Sequence, residues 1–249
     1  MAAAAIHGGF RRSVPDWTNR APEGQCARRR RMTQADMDRD AIKAEFQRER
    51  GYWRPWNETL LREQPEFLLA YARYAGHPAR TGSLSTRMVE LIYVGLDASS
   101  SHLFESGLRI HMQKAKEAGA SHQDIFDVLQ LVAEQGLACV LQSIHVLAEE
   151  TGDGPSQHQS TDEHAWDWLS QHDPVYAELA RTFGQSSSSQ GGLSPSERCL
   201  VQIALHACFT AFNPVALRAR IRQGVEDGLT TADMLQVIQL GAHLSVHGP

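Results

Sequence analysis

Sliding the chain against itself by 109 residues aligns LSTRMVELIYVGLDA with LSPSERCLVQIALHA, and AGASHQDIFDVLQLVA with DGLTTADMLQVIQLGA. Across Leu84 to Ala133 against Leu193 to Ala242, 14 of 50 positions are identical without a gap, among them Leu91/Leu200, Leu108/Leu217, Arg109/Arg218, Gly119/Gly228 and Asp124/Asp233. A unit that occurs twice is one supersecondary module, and a single copy leaves an apolar face open. The two copies are therefore expected to pack on each other as a pseudo-dimer about an internal twofold axis. A fainter echo lies upstream of each copy. YWRPWNETLLREQPEFLLAYARYAG and TDEHAWDWLSQHDPVYAELARTFG each hold a Trp-rich helix, a proline, and a helix with a Tyr and a Phe.

Within the unit the grammar is helical throughout. Thr33 with Asp36 makes a capping box ahead of MDRDAIKAEFQRER, which Gly51 stops, and Pro65 suits the first turn of EFLLAYARYAG. A helix over Leu84–Ala98 follows a GS break, and Ser106–Ala118 runs to Gly119. Ser121 and Asp124 form a second capping box before Ile125, Val128, Leu129, Val132 and Val140, which recur at helical spacing. No alternating strand pattern competes, so the fold class is all-α. TGDGPSQHQS and GQSSSSQGG read as linkers. The expected organisation is a basic tail or mis-assigned start over 1–31, a first repeat with its N-terminal helices over 32–150, linkers and short helices over 151–192, and a second, degenerate repeat over 193–249.

Composition narrows the function classes. With 42% hydrophobic and 21% charged residues, 249 residues form a sizeable core. Residues 1–31 hold seven Arg against Asp16 and Glu23, so a chain of net charge −5 carries −10 on its body, which argues against nucleic acid as a partner. The most apolar stretch, LVAEQGLACVLQSIHVLA, is interrupted by Glu134, Gln135, Gln142 and His145, so no membrane span is expected. Cys26, Cys139, Cys199 and Cys208 show no CxxC or zinc spacing and read as reduced, mostly buried thiols of a cytoplasmic protein. His243 and His247, spaced i, i+4, lack a third ligand, and no metal is expected.

The segment SSSHLFESGLRIHM concentrates His102, Glu105, Arg109 and His111 at a helix start between two apolar helices, and Glu90 sits inside the apolar run VELIYVGL. A carboxyl between Val89 and Leu91 has to be paired or raised in pKa. His111, flanked by Leu108, Ile110 and Met112, suits a buried structural histidine as well as an acid/base group. Arg109 recurs as Arg218, which suits a structural salt bridge as well as a substrate contact. Tyr52, Trp53, Trp56, Phe67, Tyr71 and Tyr74 read mostly as core aromatics.

This unit resembles the carboxymuconolactone decarboxylase / alkylhydroperoxidase-D-like family over Leu84 to about Leu147, with a weaker copy over Leu193 to Gly248. The carriers are the ELI helix, a short site segment, a His eight residues before a Gly, and the capped apolar helix. The resemblance implies an all-helical homo-oligomer, here a trimer of tandem chains. In the family's peroxidase branch a CxxCxxxH motif supplies the thiols. Counted back from His111, those positions hold Phe104 and Gly107, so disulfide cycling has no nucleophile there. In the decarboxylase branch the site works by acid/base groups around the His that His111 matches. Glu90 matches the upstream Glu after a two-residue insertion, and FES replaces the HEF-type triplet.

The implied activity is decarboxylation, or a related lyase reaction, of a small carboxylated lactone or ring-cleavage product without a cofactor. His111 and Glu90 are the expected catalytic pair, and His102, Glu105 and Arg109 the expected substrate contacts. Loss of CO2 from such an acid needs a cation for the carboxylate, donors for the developing dienolate and an acid to reprotonate carbon. A hydrolase or isomerase on the same site, a redox-dead relative of the peroxidases and a non-catalytic binding or assembly protein are the rivals. In the second copy Cys199 stands at Glu90's place, Ala211 at His102's and Arg220 at His111's. That copy is expected to be structural, completing the core and walling the first site.

Overall fold

The computed structural model describes residues 38–153, 162–185 and 192–246. The basic segment 1–31, the Thr33/Asp36 capping box, most of both linkers, Cys26, His247 and the side chain of His243 lie outside the described residues.

All regular structure among the described residues is helical, and many boundaries have a local cause. α1 (Arg39–Arg50) ends at Gly51, which takes the left-handed conformation at φ 73°. α2 (Pro55–Glu63) and α3 (Pro65–Thr81) each start on a proline, whose missing N–H is no loss in a first turn. α3 runs on past Gly76, where the run EFLLAYARYAG ends, and through Pro78. Gly76 serves contact with α1 instead: a Cβ there would lie 2.6 Å from the Glu49 carbonyl oxygen. Phe46 fills the space between these helices, fully buried, with Tyr52, Trp53 and Trp56 edge-on around it. Tyr71 joins that core, whereas Phe67 and Tyr74 are exposed, against the expectation of a common aromatic core.

The first repeat is α4 (Thr86–Ala98), α5 (Glu105–Glu117) and α6 (His122–Thr151). Ser85 caps α4 by accepting from the Met88 N–H. The Ser121/Asp124 box closes in both directions at 3.0 and 2.8 Å, and Gly119 turns the chain before it at φ 95°. α7 (Asp162–His172) and α8 (Pro174–Gln185) pack on α6. The second repeat is α9 (Pro195–Ala207), α10 (Pro214–Glu226) and α11 (Thr231–Leu240), followed by a 3-10 segment, Gly241–Val246.

α4 and α9 form the centre, and every residue of α4 from Met88 to Asp97 is buried. α4 packs on α9 and α11, and α6 packs on α9. The repeats also hold each other's first residues. The Leu84 N–H donates to Gln236 Oε1 at 2.9 Å, and the Leu193 N–H donates to Asp127 Oδ2 at 3.0 Å. Residues 84 and 193 are equivalent in the repeat, as are 127 and 236, so the contact is reciprocal.

α6 is long enough to cross a membrane, with a mean hydropathy of 1.4 over its most apolar window. It also carries buried Asp124, Asp127 and His145, and its Ile125–Val128–Leu131 row enters the central core. Those contacts are what a long core helix makes. Of the described thiols, Cys199 and Cys208 are buried, but Cys139 is exposed on α6.

Arg87 ties the repeats together electrostatically. It meets Asp124 at 2.8 Å within the first repeat and Glu197 in the second. Burial opposes charge on both acids, but hydrogen bonds from Arg87 and from the caps Ser121 and Ser194 prevail and hold both below the usual carboxylate range. Depressed carboxylate pKa values add stability above about pH 4 that is lost on acidification. Replacing Arg87 with Ala leaves two part-buried carboxylates without their cation. It is expected to cost about 2–4 kcal/mol at pH 7 and markedly less at pH 3, as read from urea denaturation at the two pH values.

Candidate active site

α4 and α5 run side by side after the turn Ser99–Phe104, and this pairing brings the sequence-predicted residues Glu90 and His111 into contact. Glu90 Oε2 and His111 Nδ1 are 2.6 Å apart, with both side chains largely buried. A carboxylate only accepts, so Nδ1 carries the proton and Nε2 is left to exchange one. Tyr93, one turn after Glu90, lies against the imidazole with ring centroids 4.7 Å apart.

Beyond Nε2 stands Asp97, a residue that sequence reasoning missed. Its Oδ2 is 3.9 Å from His111 Nε2, and its Oδ1 is 3.8 Å from His102 Nε2. The side chain is 2% exposed, and Oδ2 has no hydrogen-bond partner among the described residues. Burial drives its pKa up to about 7, with Arg54 working against the rise and Glu90 adding to it. The signal was available, since Asp97 interrupts LIYVGLDA as Glu90 interrupts VELI.

Gly107 is required by this arrangement, because a Cβ would run into Asp97 Oδ2 and the Phe104 ring. The two positions where the peroxidase branch carries thiols are thus filled by a buried carboxyl's neighbours. Cys139 does not border this pocket.

His111 and Glu90 open onto a pocket of about 500 Å3 between the α1–α2 turn, α4 and α5. Five cations, Arg48, Arg50, Arg54, Arg80 and Lys114, line it against the carboxylates of Glu49 and Glu90. Arg80 is spent on Glu49. Arg50 donates to the Ala75 carbonyl at 2.9 Å and sits over the faces of Tyr52 and Tyr71, yet its Nε is buried without an acceptor. Arg54 lies over Tyr52 and Phe104 and donates to Ser106 Oγ at 3.3 Å. Tyr52, Trp56, Tyr93 and Phe104 form an aromatic wall, with Ile110 beside it. Such a pocket suits a small unsaturated anion.

The three expected substrate contacts fall elsewhere. Glu105 and Arg109 pair with each other at 2.8 Å on an outer face of α5, 73% and 76% exposed, and neither lines the pocket. His102 lies behind Phe104 against Asp97, where burial lowers its pKa. The cations come instead from Arg50 and Arg54, which no periodic pattern marks because they sit at a helix end and in a turn. No described residue of the second repeat lines this pocket, so that copy does not wall it.

Residues 65–148 match the model of the Carboxymuconolactone decarboxylase family. The matched segment is 84 of the 249 residues. It includes Glu90, Asp97 and His111. A solved structure from Burkholderia xenovorans LB400, described as that of a candidate gamma-carboxymuconolactone decarboxylase subunit, superposes with a TM-score of 0.73 at 24% identity, covering 85% of this chain and 93% of the other. The all-helical fold is thereby shared. No curated protein matches the chain.

Asp97 supplies a test of the site's electrostatics. Unfolded, it ionises near pH 4; folded, it keeps its proton to about 7. Between those values the unfolded chain binds fewer protons, so stability falls as pH rises. Asp97→Asn removes that penalty. It is expected to leave stability near pH 4 little changed and to raise it at pH 8 by an amount on the order of 4 kcal/mol at most, as read from urea midpoints at both pH values.

Proposed function

We propose that the chain is a carboxy-lyase acting on a small unsaturated carboxylic acid of the lactone or ring-cleavage type. The observation that carries this reading is the 2.6 Å Glu90–His111 pair facing a pocket in which cations outnumber carboxylates. Arg54, with Arg50 behind it, holds the substrate carboxylate beside the aromatic wall. Cleavage of the carbon–carbon bond releases CO2 and leaves the electron pair on the substrate as a dienolate, which the cationic pocket stabilises. His111 Nε2, bare in the neutral ring, first takes the proton of Asp97 and then delivers it to carbon, and Asp97 regains one from water. Glu90 fixes the ring by accepting from Nδ1 and stabilises the imidazolium. Asp97, protonated up to about neutral pH, is the group placed to resupply Nε2.

The reciprocal Leu84–Gln236 and Leu193–Asp127 hydrogen bonds support reading the chain as an internal pseudo-dimer. The neighbour's description as a subunit, and exposed Phe126, Phe209 and Phe212, support further self-association, with a trimer expected.

Purified protein screened against lactone acids and ring-cleavage products should release CO2 with a matching change in ultraviolet absorbance. His111→Ala should lower kcat/KM by about 100- to 10,000-fold. Full activity in that variant would refute the assignment, and absorbance change without CO2 would make the reaction a hydrolysis or isomerisation.

A further inference from the structure

A second pocket exists where the second repeat should have one if the first is functional. Gln202, Asn213, Ala216 and Arg220 border a cavity of about 360 Å3. Each stands 109 positions after a residue of the first pocket: Tyr93, Phe104, Gly107 and His111. The outer wall is alike in residue type, though not at the 109-residue spacing. α7 and α8 supply it through Trp166 and Arg181, as α2 and α3 supply Trp56 and Arg80 to the first.

The chemistry of the two pockets differs in one consistent direction. At Glu90's place Cys199 donates its thiol hydrogen to the Arg220 carbonyl at 3.2 Å, so the carboxylate that would orient a base is gone. At Asp97's place stands His206, buried; burial and the charge of Arg220 push its pKa down to about 4, leaving it neutral near pH 7. At His111's place stands Arg220, whose guanidinium has no hydrogen-bond or ion-pair partner among the described residues. Among the described residues Arg181 is engaged only by stacking on Trp166, 4.5 Å from the ring centre. Two guanidinium groups against the single carboxylate Glu134 leave the cavity positive. A proton relay has been replaced by a fixed charge, and fixed charge binds without turning over.

We propose that the second repeat is a non-catalytic binding site for a small planar carboxylate, with the acid group on Arg220 and the flat body between Trp166 and the leucines of α6. Apolar cover comes from Leu131, Leu137 and Leu141, and the amides of Gln135, Gln142 and Gln202 supply the rim. Arg220 provides two parallel donors in the geometry that a carboxylate accepts. The site stands on its own residues and does not depend on the first pocket's reaction.

Isothermal titration of the full-length protein with benzoate tests this. Wild type is expected to bind two equivalents per chain. Arg220→Gln should lose one of them, its affinity falling at least tenfold, while Arg54→Gln should lose the other. Ala216→Leu, which fills the second cavity without touching its charge, should reproduce the Arg220→Gln loss, with circular dichroism confirming that each variant is folded. If Arg54→Gln changes nothing while Arg220→Gln and Ala216→Leu each remove an equivalent, the second site stands and the first-pocket carboxylate reading fails. An isotherm unchanged by both second-site variants overturns the proposal. So does the absence of saturable benzoate binding to the wild type.

Discussion

Helix α4 is covered from Met88 to Asp97 by α5, α6, α9 and α11, and a helix buried on every side has no solvent face on which to place a charge. Glu90 and Asp97 are nevertheless on it, and the rest of the site follows from how each is accommodated. Glu90 stays tolerable through the Nδ1–H of His111. Asp97, with one oxygen unpartnered, is accommodated by keeping its proton to about pH 7. The packing that closes the core therefore also assembles a carboxylate, an imidazole and a protonated acid in a row.

That cover depends on the second repeat. Without α9 and α11, α4 would lose cover along its buried length, including at Gly95, which faces Val201 and Leu205, and Arg87 would lose Glu197. The exchange of the Leu84 and Leu193 N–H groups between Gln236 and Asp127 sets the register in which α4 meets α9. Both central helices are packed, but only α4 carries carboxyl groups at these positions. On α9 the positions of Glu90 and Asp97 are Cys199 and His206, groups that burial leaves neutral.

The sequence made the helical unit, its caps and its repetition legible because these are local or periodic: Ser121 with Asp124, Gly119, and apolar spacing through α6. Glu90 and His111 were legible as polar residues in apolar runs, and through resemblance to a family, but their contact was not, since it depends on the path of the Ser99–Phe104 turn. Arg109 and Glu105 looked like site residues because they sit next to His111 in sequence. On a helix, residues two apart point to different faces, and these two found each other across one turn instead. Arg50 and Arg54 reach the pocket because Gly51 reverses the chain at the end of α1 and Gly76 lets α1 close on α3, a tertiary outcome that no pattern in RERGYWRPW announces. Asp97 was within reach of the same rule that flagged Glu90.

The central claim is that the buried carboxylate of α4 fixes the tautomer of His111. Nitrogen-15 NMR of the imidazole, read in the wild type and in Glu90→Gln, tests it most directly. The account predicts that the neutral ring carries its proton on Nδ1 in the wild type, with a strongly deshielded Nδ1–H, and that this preference is lost in the variant. A wild-type ring protonated on Nε2, or a spectrum that Glu90→Gln leaves unchanged, would contradict it.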